Sequence, residues 1–438
     1  MSADLVIHAP WVLPVDAQDS VLAGHAVVIA GGRIKALLPS LEARRRYPTA
    51  RELDLPEHLL IPGFVNAHTH SAMTLLRGLA DDLPLMTWLQ DYIWPAEQRW
   101  VSPEMILAGS RLAALEMLKS GTVCFNDMYY FPEVTAHAMA EAGMRAVVGM
   151  ILLDVPTVYA DGPDQYLRQG LALHDHYRGH PLIHTAFAPH APYTVSDASL
   201  TRVRTLADEL EVPIHIHLHE TADEIDQSLR DHGTRPLRRL QRLDLLGPNL
   251  VAVHMTHVEE EEVDLLAATG THVIHCPASQ LKLASGFCPV ARLRETGVSV
   301  ALGTDGAASN NELDMLGEMR LAALLAKGVA RSAAALPAPT ALRMATLEGA
   351  RALGLEEETG SLEIGKSADL VAIDLGHPNT QPIHNPLSQL VYAANHSQVR
   401  HVWVAGRQLL RDGQPTTLNS EEILAEARAW RTRIAGGH

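Results

Sequence analysis

Between residues 59 and 351, short apolar runs alternate with helical stretches: LLIPGFVNA, GTVCFND, RAVVGMILL, LIHTAFAPH, PIHIHLHE, LVAVHMTH, THVIHCP and VSVALGTD. Buried parallel strands read as continuous apolar runs, and parallel neighbours need a helical crossover between them. Ser102-Pro103-Glu104 opens one such crossover with an N-cap and a first-turn proline, and Gly121 closes it. Further helices are expected at SDASLTRVRTLADELE, EEEEVDLLAATG and ELDMLGEMRLAALLAKG. Eight strand–helix units in about 290 residues fit an α/β fold of the (β/α)8, TIM-like barrel type. An open doubly wound sheet is the alternative, but no GxGxxG follows the first strand.

The two ends of the chain have another texture. Residues 1–58 (DLVIHAPWVLP, HAVVIAGGRIKALLP) and 352–438 (SADLVAIDL, VRHVWVAGRQLLRDGQ) carry β-branched runs broken by glycine. Gly31-Gly32 is placed for a hairpin turn. The expected organisation is a small β-sandwich built from both termini, 1–58 and 352–438, around a barrel at 59–351. A helical tail ends the chain.

In a barrel, function sits where strands end and loops begin. Here the strand ends carry His68 and His70 (first), His190 (fourth), His217 (fifth), His254 (sixth) and Asp305 (eighth). A bare His-x-His is weak evidence: 24 histidines in 438 residues predict roughly one such pair by chance, and the chain has four. Taken singly, each strand histidine is more often a hydrogen-bonded core residue, and Asp305-Gly306 is a turn signal. Their joint placement argues otherwise. Alternate strand residues face one way, so His68 and His70 can both point at the barrel axis, with His217 and Asp305 converging on them. Three imidazoles and a carboxylate leave a position open for water, as in catalytic zinc sites. In HIHLH, His215, His217 and His219 share a side, and only one of them need reach the metal. Glu220 lies three residues beyond His217, near enough to carry a proton to and from water at that metal. Its ordinary reading is an acid at a helix N-terminus. There is no HExxH, GxSxG, P-loop or PCxxC motif.

Composition bounds the rest. With 47% hydrophobic and 20% charged residues, the chain can bury a large core. Its 35 basic and 51 acidic residues give a net charge of −16, which argues against nucleic acid or an anionic membrane as partner. No apolar run approaches the ~20 residues of a membrane helix, and MSADLVIHAP does not read as a signal peptide. Cys124, Cys276 and Cys288 form no disulfide framework. The expectation is a cytoplasmic protein whose metal ligands are histidine and carboxylate. A homo-oligomer is compatible with the sequence.

PGFVNAHTHSAMTLLRGLADDLPLMTWL, DYIWPAE, APHAPYTV, HLHET, VAVHMTH, PASQLKLASG, LGTDGAASNN and GSLEIGKSADLVAID together resemble the amidohydrolase superfamily. Within it the resemblance is to deaminases of 5′-methylthioadenosine and S-adenosylhomocysteine, over nearly the whole chain. It implies His68, His70, His217 and Asp305 as metal ligands, Glu220 as proton shuttle, and His254 as the residue that orients the attacking oxygen. Asp305 would help deprotonate the water. It further implies that Trp88 packs on the nucleoside, Glu97 accepts ribose hydroxyls, His190 adds a substrate contact and Ser309 approaches the substrate. For Trp88 the ordinary reading is a buried aromatic at helical spacing; for Glu97, a solvated acid at a helix start. The fourth strand, LIHTAFAPH, lacks the lysine of binuclear members, so one metal per chain is expected: zinc, with Fe²⁺ or another divalent ion also compatible. Two departures stand out. Members often read Asn-Pro-x-Ser-Asn where this chain has Cys276-Pro277-Ala278-Ser279-Gln280. Members that handle S-adenosylhomocysteine can carry arginines after the third strand, where GMILLDVPTVYADGP has none.

The expected activity is hydrolytic deamination of an adenine nucleoside, 5′-methylthioadenosine first and adenosine or S-adenosylhomocysteine next, to the hypoxanthine product and ammonia. The alternative on the same fold is a guanine, 8-oxoguanine or chlorotriazine hydrolase. A non-catalytic metal-binding homologue would have no need of Glu220 and His254.

Overall fold

The structure, a computed structural model, describes residues 2–436. Eight strands form one sheet in strict chain order: β1 (Phe64–Thr69), β2 (Thr122–Asp127), β3 (Arg145–Leu152), β4 (Ile183–Pro189), β5 (Ile214–Leu218), β6 (Leu250–His254), β7 (His272–His275) and β8 (Val300–Leu302). Every pairing along it is parallel. Helices cover its outer face, so all eight strands but β4 are buried at every position, which explains their unbroken apolar runs. Side-chain and backbone contacts join β8 to β1. Asn66 donates to Thr304 Oγ1 (2.7 Å) and accepts from Thr304 N–H (2.9 Å), while Asp305 N–H donates to His68 O (3.0 Å). The TIM-like barrel expected from the alternation is present.

The crossover helix after β1 is Pro103–Lys119, capped by Ser102 Oγ accepting from Met105 N–H at 3.3 Å. Gly121 ends it in the left-handed region (φ +88°), which an L side chain rarely adopts.

The run LLIPGFVNA reads as one strand, but the structure divides it. His58–Pro62 belongs to a second sheet and Phe64–Thr69 to the barrel. Gly63 is the elbow: a Cβ there would fall 2.2 Å from Val123 Cγ1, so only glycine lets the chain pass. Periodicity could not reveal the change of sheet, because both sheets share the same two-residue repeat.

That second sheet is mixed, has nine strands and draws on both ends of the chain. His58–Pro62 lies parallel to Leu5–Val12 and antiparallel to Leu370–Asp374, which joins the two ends. Ile7, Val27, Leu60, Leu370 and Trp403 share one core cluster of this sheet, and Val6, Val28 and Tyr47 another. Arg145, at the start of β3, donates from Nε to Asp369 Oδ2 (3.0 Å) just before Leu370–Asp374. Both side chains are fully buried, so this ion pair ties sheet to barrel. The C-terminal helix, Ser420–Ala435, puts Trp430 and Ile434 into a cluster with Met73, Leu85 and Trp88, behind the strand-end site. Among the described residues, no helix is long and apolar enough to cross a membrane.

Candidate metal centre

At the C-terminal mouth of the barrel, His68, His70, His217 and Asp305 bring one ligand atom each to within 4.8 Å of all the others. β1 supplies His68, His70 follows just past its end, two positions on, and β5 supplies His217. Asp305 turns inward three residues past β8, in the left-handed region at φ +59°. Nε2 of both His68 and His70 lies 3.2 Å from Asp305 Oδ1, and His217 Nε2 lies 3.3 Å from His68 Nε2.

Outer contacts aim these rings. His70 Nδ1–H donates to Met128 O (2.5 Å) and His217 Nδ1–H to His190 O (2.8 Å). His68 Nδ1 lies 2.8 Å from His215 Nε2. On Asp305, Oδ2 accepts from Ser279 Oγ (2.6 Å) and Ser309 Oγ (2.9 Å), and Oδ1 from Gly306 N–H (2.8 Å). With the Nδ1 protons committed outward, the Nε2 lone pairs of His70 and His217 face a carboxylate and another imidazole nitrogen. Acceptors crowded like this are reconciled by a cation between them. Three imidazole nitrogens and one carboxylate oxygen suit a divalent transition ion, and the residues fit the metal.

Two titratable groups flank the ligands. His254, the last residue of β6, stacks on His217 (ring centroids 5.4 Å apart, planes at 14°). Its Nε2 lies 3.7 Å from Glu220 Oε1. Burial lowers His254 to about 3 against the pull of Asp305, so the ring is neutral. Burial, then the Asp305 and Glu224 carboxylates, pushes Glu220 well above the ordinary carboxylate range. Burial alone would raise Asp305 as well, but the His68 and His70 rings against its carboxylate outweigh burial and hold it well below the ordinary range.

The ligands open into a cavity of about 720 Å³. Trp88, Glu97, His190, Glu220, His254 and Ser309 all line it. Trp88 ends the short helix Leu85–Trp88, and a π-helical turn, Leu89–Ile93, leads into Trp94–Trp100, which carries Glu97. Burial raises Glu97 to about 7, and Tyr129 donates its phenol to Glu97 Oε1 at 2.7 Å. His190 Nδ1 lies 3.0 Å from Thr194 Oγ1, and burial lowers the ring to about 3. Among the described residues that line the cavity there is no lysine or arginine.

Several residues at the site carry no sequence signal strong enough to single them out. Tyr129 follows β2, and Ser279 and Gln280 follow β7, where nothing in the local sequence marks a phenol, hydroxyl or amide that turns to the site. Gln280 Nε2 donates to His254 O (3.1 Å), so the departure from Asn-Pro-x-Ser-Asn places a longer amide behind His254. The outer histidines of HIHLH separate by height: His215 stands behind His68, while His219 is pinned away from the cavity. His219 Nδ1–H donates to His257 O and Nε2 accepts from Leu237 N–H, each at 3.0 Å.

Known proteins agree with this geometry. A protein of Teredinibacter turnerae named 5-methylthioadenosine/S-adenosylhomocysteine deaminase is 51% identical over 431 residues, covering 98% of each chain. One of the same name from Saccharophagus degradans is 49% identical over 432 residues, covering 99% of this chain and 97% of that protein. The crystal structure of an adenosine deaminase from Xanthomonas campestris with bound zinc superposes with a TM-score of 0.98 at 51% identity, covering 99% of each chain. An atrazine chlorohydrolase from Arthrobacter aurescens TC1, 23% identical over 98% of this chain and all of that one, shares the fold with a TM-score of 0.92. The model of the amidohydrolase family matches residues 59–409, the barrel and the strands that close the second sheet. By fold, ligand set and sequence, the chain belongs to the amidohydrolase family.

Proposed function

We propose that the protein is a zinc-dependent aminohydrolase that converts the adenine ring of 5′-methylthioadenosine to hypoxanthine and releases ammonia. The observation that carries this reading is the Glu220–His254 pair, 3.7 Å apart beside the ligand cluster. A cavity with an apolar wall and one buried acceptor, Glu97, opens directly onto it. Relatives at 49–51% identity over the whole chain, named for deamination of 5-methylthioadenosine and S-adenosylhomocysteine, support it.

His68, His70, His217 and Asp305 hold the ion, which when bound supplies Lewis acidity and lowers the pKa of water toward neutrality. Glu220, held well above the ordinary carboxylate range by burial, can take up and release a proton. It takes one from the attacking water and delivers it to the ring nitrogen beside C6. Asp305 accepts the second water proton, which reaches the departing amine, so ammonia leaves and oxygen remains on C6. Neutral His254 hydrogen-bonds the attacking oxygen. Trp88 supplies an apolar face for the purine, and Glu97 accepts from the ribose hydroxyls. His190 and Ser309 contact the substrate, Ser309 while it also holds Asp305. A cytoplasmic location with a free nucleoside as partner is in keeping with this reading.

Specificity follows from the wall. Leu85, Ile93, Leu153, Val155 and Val158 present hydrocarbon to the 5′ substituent. The homocysteine tail of S-adenosylhomocysteine brings a carboxylate that calls for a cationic partner, and the lining offers none. kcat/KM for 5′-methylthioadenosine or adenosine is expected to exceed that for S-adenosylhomocysteine by roughly tenfold or more, about the 1.4 kcal/mol of one charge-assisted contact. Ammonia release from these three nucleosides and from guanine, with chloride release from a chlorotriazine, tests the reading. Turnover of guanine or the triazine without turnover of any adenine nucleoside would replace it.

A further inference from the structure

Glu220 needs a fixed base and a free tip: a proton shuttle must swing between donor and acceptor without drifting from either. Among the described residues no hydrogen bond reaches its carboxylate, whose neighbour in the ion-pair range is His254 Nε2 at 3.7 Å. Its position is therefore set by its backbone.

That backbone is held from two sides. On one, Glu224 accepts with a different oxygen from each of two consecutive N–H groups: Oε1 from His219 (3.0 Å) and Oε2 from Glu220 (2.7 Å). On the other, Thr256 Oγ1 lies 2.9 Å from His219 O and 2.8 Å from Glu220 O. Thr256 N–H also donates to His219 O at 2.9 Å, extending the β5–β6 ladder past the strand ends. The segment so gripped includes His219 in the left-handed region at φ +53°, a conformation that L side chains rarely adopt.

Helix capping alone does not account for Glu224. Thr221-Ala222-Asp223-Glu224 is a capping-box sequence, and Thr221 Oγ1 duly accepts from Glu224 N–H (3.3 Å) at the start of Ala222–His232. In a capping box the glutamate would return to the N–H of Thr221. Here it reaches past that residue to the two N–H groups before it. Glu224 is 5% exposed, so the chain buries a carboxylate to do this.

We propose that Glu224 is a positioning residue for the Glu220 shuttle: its carboxylate bridges the N–H groups of His219 and Glu220 and, with Thr256, fixes the backbone from which the Glu220 side chain swings. The proposal rests on the reading of Glu220 as proton carrier.

The test is a double-mutant cycle on the zinc-loaded enzyme with 5′-methylthioadenosine, recording kcat, KM and zinc content. Glu224→Gln keeps the size of the side chain but can accept only one of the two N–H groups. It is expected to lower kcat by about tenfold or more with zinc content and KM unchanged, and Glu220→Gln to lower kcat by at least ~10²-fold. Because both act through one side chain, Glu220→Gln/Glu224→Gln should be within about twofold of Glu220→Gln alone. Losses that multiply in the double variant, zinc lost together with kcat, or a normal kcat in Glu224→Gln beside an inactive Glu220→Gln would each overturn the proposal. Full activity in Glu220→Gln would instead overturn the shuttle reading beneath it. Should Glu224→Gln fail to fold, Thr256→Val, which removes the opposite grip at constant size, takes its place in the same cycle.

Discussion

The phenol of Tyr129 donates a 2.7 Å hydrogen bond to Oε1 of Glu97 inside the cavity. One carboxylate oxygen is thus anchored and the other is left for the ligand. Tyr129→Phe removes the anchor without changing the apolar wall. A hydrogen bond to a charged group is worth about 1.5–3 kcal/mol, so KM for 5′-methylthioadenosine is expected to rise roughly tenfold or more while kcat changes less than about threefold. Steady-state kinetics check this; an unchanged KM would mean that Glu97 does not bind the ribose.

Glu97 also predicts a pH dependence. Burial raises its pKa from 4.5 to about 7. The folded state therefore holds this proton more tightly than the unfolded chain does. The stability from that proton is complete below 4.5 and is lost as pH rises through about 7. Ligand binding runs the other way, because the ionised form is the better acceptor for hydroxyl donors. KM should fall as pH rises through about 7, and Glu97→Gln should show neither this fall nor the extra loss of Tm over the same range. Parallel pH profiles of KM for the two proteins would contradict the assignment.

The site was legible in the sequence where strand geometry decides. His68 and His70 sit two apart at the end of β1, and the same repeat carries His217 inward on β5. Asp305 was legible as the polar residue ending the eighth apolar run. Residues that reach the site from beyond β2 and β7 were not legible. Ser279 meets Asp305 across 26 positions and Tyr129 meets Glu97 across 32, and no local periodicity encodes such pairs. The division of LLIPGFVNA at Gly63 was hidden for a related reason, since a strand's pattern does not say which sheet it joins. Ser309, expected at the substrate, lines the cavity but spends its hydroxyl on Asp305.

His215 offers Nε2 to His68 Nδ1 at 2.8 Å and is wholly buried. Partners of this kind orient a ligand and raise its basicity, and losing one typically costs 10–100-fold in metal affinity. His215→Ala is expected to weaken zinc binding by about that factor, measured by competition with a chelator of known affinity. Equal affinity in the two proteins would reduce His215 to a packing residue.

The Arg145–Asp369 pair that joins barrel to terminal sheet predicts a stability effect remote from the metal. Asp369→Ala leaves a fully buried guanidinium with only the longer contact to Glu358 Oε1 (3.8 Å), and breaking a buried pair typically costs about 3–5 kcal/mol. Urea unfolding should show a loss of that size with zinc content unchanged. A loss under about 1 kcal/mol would mean that Glu358 or water compensates Arg145 when Asp369 is gone.

The account stands or falls on whether deamination depends on the four converging side chains. The most direct measurement determines zinc by elemental analysis and ammonia release from 5′-methylthioadenosine on the same samples. Those samples are the wild type, the chelator-treated wild type before and after zinc is restored, and His217→Ala. The account predicts one zinc per chain with turnover in the wild type, loss of both on chelation with recovery on zinc addition, and neither in His217→Ala. Ammonia release by metal-free protein, or two zinc ions per active chain, would contradict it.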